Sequence, residues 1–193
     1  HVVCGPMFAG KTTAVLRLLR DAEAAGRRVL AVKPARDDRY AHRELVTHVG
    51  DRIAAVPVAV LDEALPLAAG LDLVAIDEVH FFASEAVPPI DALLARGTDV
   101  VVAGCDIDHF GDVFAASGYD PAAGSVFGGT FTPFDELLPR ADRVSRIHGT
   151  CARCGAPSTH SERIVPIADR VIVGGIGDFV ATCARCFRPC PRP

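Results

Sequence analysis

The sequence predicts an α/β fold, a parallel sheet with helices on both faces, followed by a small C-terminal unit. Three observations carry this. A GxxxxGK[ST] motif, Gly5-Pro6-Met7-Phe8-Ala9-Gly10-Lys11-Thr12, follows the apolar run Val2-Val3-Cys4 and opens an amphipathic segment. Downstream, near-continuous apolar runs alternate with helical patterns, as expected for strands buried on both faces and joined by crossover helices. Near the end, Cys151-x-x-Cys154 and Cys183-x-x-Cys186 form two knuckles in a turn-rich segment.

The elements follow in order. Thr13 to Ala25 places Val15, Leu16, Leu18, Leu19 and Ala22 on one broad face, and Gly26 ends the helix. Strands are predicted over 28–33, 71–76 and 99–103. Ser84 is expected to cap a helix running through Ile90, Leu93 and Leu94 to Gly97, with Pro88 and Pro89 setting its first turns or breaking it in two. Residues 115–129 are rich in small side chains and read as a surface loop. The division is 1–150 for the nucleotide-binding α/β domain and 151–193 for the cysteine-bearing domain.

Composition narrows the function classes. Of 193 residues, 50% are hydrophobic, and the net charge of −4 is spread among interspersed acids and bases. That leaves no broad basic field for a nucleic-acid backbone, and nucleic acid is not expected as a partner. Charge interrupts every apolar run well before the roughly 20 residues of a membrane helix, and no signal peptide opens the chain, so a cytoplasmic protein without membrane attachment is expected. His1 starts on a stub of strand without an initiator methionine, so residues preceding it are expected.

The glycine motif has a specific chemistry. Backbone N–H groups of the loop can cradle phosphates at a helix N-terminus, the Lys11 ammonium can reach the β- and γ-phosphates, and the Thr12 hydroxyl can sit on Mg²⁺. Asp77 and Glu78 follow an apolar strand and emerge at its C-terminal edge, where open α/β sheets bind ligands. Asp77 reads as the acidic partner of the Mg²⁺. Glu78, pointing away from its neighbour, reads as a proton acceptor for an incoming hydroxyl. The four knuckle cysteines, Cys151, Cys154, Cys183 and Cys186, have the pairing for one tetrahedral structural Zn²⁺, with 28 residues between the knuckles. Cys4 and Cys105 read as small buried hydrophobes, and Cys190 lacks a partner in CxxC register.

Taken together, GPMFAGKT, Lys33-Pro-Ala-Arg-Asp-Asp-Arg39-Tyr40, Asp77-Glu78-Val-His80-Phe81-Phe82, Gly104-Cys-Asp106-Ile-Asp108 and the knuckles flanking Val173-Gly174-Gly175 resemble the type II, zinc-containing thymidine kinases. The resemblance spans nearly the whole chain. It implies a RecA-like phosphate-loop domain joined to a zinc ribbon that carries a lasso loop, a homotetramer, and transfer of the ATP γ-phosphate to the 5′-hydroxyl of a deoxynucleoside, thymidine first. Position by position it makes Glu78 the general base. Gly5, Pro6, Met7, Phe8, Ala9, Gly10, Lys11, Thr12, Asp77 and His80 bind ATP and Mg²⁺. Phe81, His109, Arg170, Val171, Ile172, Val173, Gly174 and Phe179 bind the nucleoside, with Met7 also lining the base pocket. Arg163 keeps a family arginine.

Departures from the family pattern cluster around the nucleoside. His80 replaces a glutamine, His109 stands where a phenylalanine stacks on the base, Phe110 replaces an arginine, and Cys105 replaces a leucine. Phe179 replaces a tyrosine that offers a hydroxyl, and Val49 replaces an acid. A pocket redrawn in this way has room to accept another nucleoside. Two further readings stay open at this stage: a protein of the same fold that holds ATP without transferring phosphate, and a zinc-ribbon ATPase acting on nucleic acid.

Overall fold

The computed structural model describes residues 1–37, 41–47, 49–105, 133–165 and 177–188. A six-stranded parallel sheet forms its centre. The strands are β1 (Val2–Cys4), β2 (Val29–Pro34), β5 (Val56–Val58), β6 (Leu73–Ile76), β7 (Asp99–Gly104) and β8 (Val144–Arg146), in the order β5-β2-β6-β7-β1-β8. A separate hairpin, β3 (Glu44–Val46) with β4 (Arg52–Ala54), lies between β2 and β5 in sequence. Towards the C-terminus two short antiparallel pairs follow, β9 (Gly149–Thr150) with β10 (Pro157–Ser158) and β11 (His160–Arg163) with β12 (Phe179–Thr182).

The apolar runs are continuous because both faces of the sheet are covered. In β6, Val74 and Ile76 face one core and Leu73 and Ala75 the other; in β7, Val100 and Val102 alternate in the same way with Val101 and Ala103. Helix α1 (Lys11–Ala24) covers one face with Val15, Leu16, Leu19 and Ala22 buried, while Leu18 packs at the cluster's edge. On the opposite face lie α3 (Val87–Ala95), through Ile90 and Leu93, and the short α4 (Phe134–Leu137). The four-residue α2 (Ala64–Leu67) packs Ala64 into that same core. Gly26 at φ 78° ends α1 in the left-handed region that glycine enters without strain.

The region 79–97 differs from expectation in one respect. Ser84 does not cap a helix with its side chain. Val79–Ala86 forms a separate 3₁₀ segment, kinked at Ala83 (φ 51°, ψ −148°), and α3 begins at Val87 with Ala86 as its N-cap. The prolines explain the start: Pro88 and Pro89 lack an N–H, which is tolerated only in a first turn, where the intrahelical partner is missing anyway. Ser84 contributes its backbone carbonyl, which accepts the Val87 N–H.

Candidate active site

Sheet order decides what meets. β7 lies between β1, which leads into the phosphate loop, and β6, which leads to Asp77 and Glu78. All three strands are parallel, so Cys4, Ile76 and Gly104 end at one edge.

The loop after β1 is shaped by residues with positive φ. Gly5 has φ 155°, and a Cβ there would lie 2.2 Å from the carbonyl oxygen of Ile147, so only glycine fits. Phe8 has φ 62°, a left-handed conformation uncommon for a bulky side chain, and Gly10 at φ 89° is the N-cap of α1. The Met7 N–H donates to Ser161 Oγ at 2.8 Å, and Ala9 N–H donates to Pro6 O at 3.3 Å. Lys11, 7% exposed, donates to Gly5 O at 3.1 Å, Pro6 O at 2.8 Å and Cys105 Sγ at 3.4 Å. Burial pulls the Lys11 pKa down, but the Cys105 sulfur, Glu78 and Asp77 outweigh it and hold it above the ordinary lysine value. The side chain is a buried cation.

Asp77 continues the β6 ladder through its N–H to Val32 O at 2.9 Å. Its carboxylate accepts the Thr12 hydroxyl at 2.9 Å and the Glu78 N–H at 3.0 Å. Burial, then the charge of Glu78, pushes its pKa up to about 7, against the opposing pull of Thr12 and Lys11. A hydroxyl beside a buried carboxylate is an oxygen donor set that fits a hard divalent cation. Glu78 itself adopts φ 51°, ψ 41°, left-handed geometry for a non-glycine residue, a form of strain that concentrates at functional sites. Its Oε2 lies 3.5 Å from His80 Nδ1.

One cleft is lined by Met7, Phe8, Lys11, Thr12, Asp77 and Glu78, together with Lys33, Asp37 and 44–47 of the β3 edge. Phe81 packs against His80 (ring centroids 4.3 Å apart) and lies under the Arg36 guanidinium at 4.6 Å from its centroid. A Cβ on Gly104 would lie 2.8 Å from His80 Nδ1, so this glycine makes room for the histidine at the end of β7. Phe179 is buried in β12, paired with Arg163. The candidate residues His109, Arg170, Val171, Ile172, Val173 and Gly174, along with Phe110, Cys190 and the 115–129 segment, lie outside the described residues.

The four knuckle cysteines converge, with their sulfurs all within 4.8 Å of one another and Cys154 Sγ 3.6 Å from Cys183 Sγ. Tetrahedral Zn²⁺ with Zn–S bonds near 2.3 Å separates its sulfurs by about 3.8 Å, so the cluster has the dimensions to hold such a metal ion. Burial raises the Cys151 thiol, but N–H groups of Cys183, Arg153 and Cys154 overcome this and bring it down to about 6, whereas sulfur neighbours push Cys186 up to about 12. Four thiols this close share their negative charge. Arg153, inside the first knuckle, clamps Glu162 of β11 through two N–H···O bonds of 2.5 Å and also donates to the Cys186 carbonyl.

Sequence reading missed the β3–β4 hairpin and its edge on the cleft, although Thr47-x-x-Gly50-Asp51 carried the signal: Asp51 N–H donates to Thr47 Oγ1 at 3.0 Å and Gly50 sits at φ 90°. It missed the Cys105 contact with Lys11, which depends on β7 lying between β1 and β6 and left no local trace. Ser161 was missed for the same reason.

A family model described as thymidine kinase matches residues 1–119 and 123–187. The thymidine kinase of Rhodothermus sp. (strain ITI 518) is 35% identical over 193 residues, covering 100% of this chain and 82% of that one. Those of Porphyromonas gingivalis (strain ATCC 33277) and Chloroflexus aurantiacus (strain J-10-fl) are 34% and 31% identical, covering 100% and 98% of this chain and 86% and 94% of theirs. Among solved structures, AMPPCP-bound DnaA from Aquifex aeolicus aligns at TM-score 0.39 and 13% identity over 76% of this chain and 39% of that one. Among the described residues, no helix is long and apolar enough to cross a membrane. Matched by the family model over nearly its whole length, and by full-length relatives at 31–35% identity, the chain belongs to the thymidine kinase family and is a nucleoside kinase.

Proposed function

We propose that the protein transfers the γ-phosphate of Mg²⁺-bound ATP to the 5′-hydroxyl of a deoxynucleoside, thymidine first. The observation that carries this is the cleft in which Lys11, Thr12, Asp77 and Glu78 meet, with Thr12 bonded to Asp77 at 2.9 Å. Thr12 and Asp77 would hold the Mg²⁺. When bound, that ion supplies positive charge to the phosphate oxygens.

Each protein group has a part. The loop from Gly5 to Gly10 presents its N–H groups and the start of α1 to the triphosphate, and Lys11 brings a cation whose charge burial does not remove. Glu78 takes the proton from the 5′-oxygen as that oxygen attacks phosphorus, with His80 at 3.5 Å to orient its carboxylate. Phe81, beside the cleft, offers an aromatic face to the base, and by the family resemblance Met7, His109, Phe179 and 170–174 would bind the nucleoside with it. Zn²⁺ on the four cysteines would be structural, since four sulfurs leave no open position. From the family resemblance we also take a cytoplasmic homotetramer.

The test is phosphate transfer from ATP and Mg²⁺ to thymidine, deoxyuridine, deoxycytidine and the purine deoxynucleosides, with Glu78→Gln as the blank. Thymidine-preferring, Glu78-dependent transfer is expected. ATP binding with transfer to none of them would overturn the reading.

A further inference from the structure

We infer that Ser161 is a positioning residue for the phosphate loop, so that the cysteine-bearing unit shapes the nucleotide site as well as its own metal centre. The inference rests on the nucleotide-binding role proposed for that loop. Ser161 Oγ accepts the Met7 N–H at 2.8 Å across 154 residues of sequence. The serine is 2% exposed and sits in β11, where it pairs with Ala181 of β12. Its neighbour Glu162, 4% exposed, is fixed by the Arg153 clamp and by the Arg188 N–H at 2.9 Å. The hydroxyl is therefore held in place from behind.

The loop leans on the same segment at two other points. A Cβ on Gly149 would lie 3.0 Å from Phe8 O and 3.2 Å from Ala9 Cα, and one on Gly5 would meet Ile147 O. This loop is seated on 147–161 rather than free-standing. Phe8, immediately after Met7, is left-handed at φ 62°. A non-glycine residue stays there only when its surroundings over-determine it. Fixing the Met7 N–H fixes the Pro6–Met7 peptide, one peptide ahead of that left-handed residue. Without the hydroxyl the loop samples conformations in which its N–H groups do not converge, and nucleotide affinity falls with the fraction that remains competent.

The test compares the metal-loaded wild type with Ser161→Ala and Ser161→Thr by two readouts. One is the dissociation constant for a non-hydrolysable ATP analogue with Mg²⁺. The other is amide hydrogen exchange of residues 5–12 without nucleotide. Ser161→Ala is expected to weaken binding about five- to tenfold, the scale of one net hydrogen bond, and to speed exchange across the whole segment. Ser161→Thr, which keeps the hydroxyl, restores both, which a loss of general stability would not explain. Wild-type exchange and affinity in Ser161→Ala would overturn the inference alone. Faster exchange in Ser161→Ala, with a wild type that does not bind the analogue, would uphold the serine's role and sink the nucleotide reading.

Discussion

Thr12 donates its hydroxyl to Asp77 at 2.9 Å and so ties the first turn of α1 to the end of β6, across the strand that separates β6 from β1. The acceptor is unusual, because burial and Glu78 raise its pKa from 3.8 to about 7. Between those values the metal-free folded protein holds a proton that the unfolded chain has released. Asp77 therefore contributes stability that is complete below about pH 4 and is lost as pH rises through about 7. In Asp77→Asn that loss is absent. The metal-free variant should melt above the wild type at pH 8 and lose the advantage by pH 5, as read by scanning calorimetry. A wild-type slope in the variant would place the titration on another group. Because Mg²⁺ must displace the same proton, wild-type affinity for Mg²⁺–nucleotide should fall up to tenfold per unit below pH 7.

Lys11 and Cys105 meet at the end of β7, where the sulfur is the third acceptor of the ammonium after two loop carbonyls. To reach a phosphate the lysine must give up some of these contacts. Cys105→Ala removes one that competes with the ligand, so nucleotide should bind about two- to tenfold tighter while the nucleotide-free protein melts a few degrees lower. Titration calorimetry beside a melting curve checks both. Unchanged affinity would mean that the lysine keeps its sulfur partner in the bound state.

Glu78→Gln keeps the shape of the side chain and removes its basicity. Nucleotide affinity should stay within about threefold of wild type, while kcat falls by about 10² to 10⁴, the usual weight of a general base. Single-turnover transfer separates this from slow product release. Undiminished turnover would move the base elsewhere.

What was legible in the sequence and what was not divide along a physical line. The phosphate loop, α1, the strands β2, β6 and β7 and each CxxC knuckle are local patterns, in which spacing and residue type state the answer within a dozen or so residues. Ser84 misled because an N-cap signature cannot compete with two prolines that fix where α3 can start. Strand order is a property of the whole sheet, so Cys105 beside Lys11, Gly104 beside His80 and Ser161 beneath Met7 became visible only once distant segments were placed together.

Metal and nucleoside affinity should fail together. Residues 164–178 join β11 to β12 in sequence, and the base of that connection is held by the β11–β12 ladder and by Arg153, which sits inside one knuckle and donates to the carbonyl of Cys186 in the other. Both knuckles must stay joined for this base to persist, and the four sulfurs are close enough for one ion to join them. Cys154→Ser touches none of the cleft-lining residues, yet it should lose the bound metal and weaken nucleoside binding at least tenfold. Metal content by elemental analysis, with nucleoside binding by calorimetry on the same sample, checks the pair of effects. Wild-type nucleoside affinity in a metal-free Cys154→Ser protein would separate the two sites. Loss of both, with a wild-type dissociation constant recovered in samples that regain metal at high zinc concentration, would assign the effect to the ion rather than to the serine.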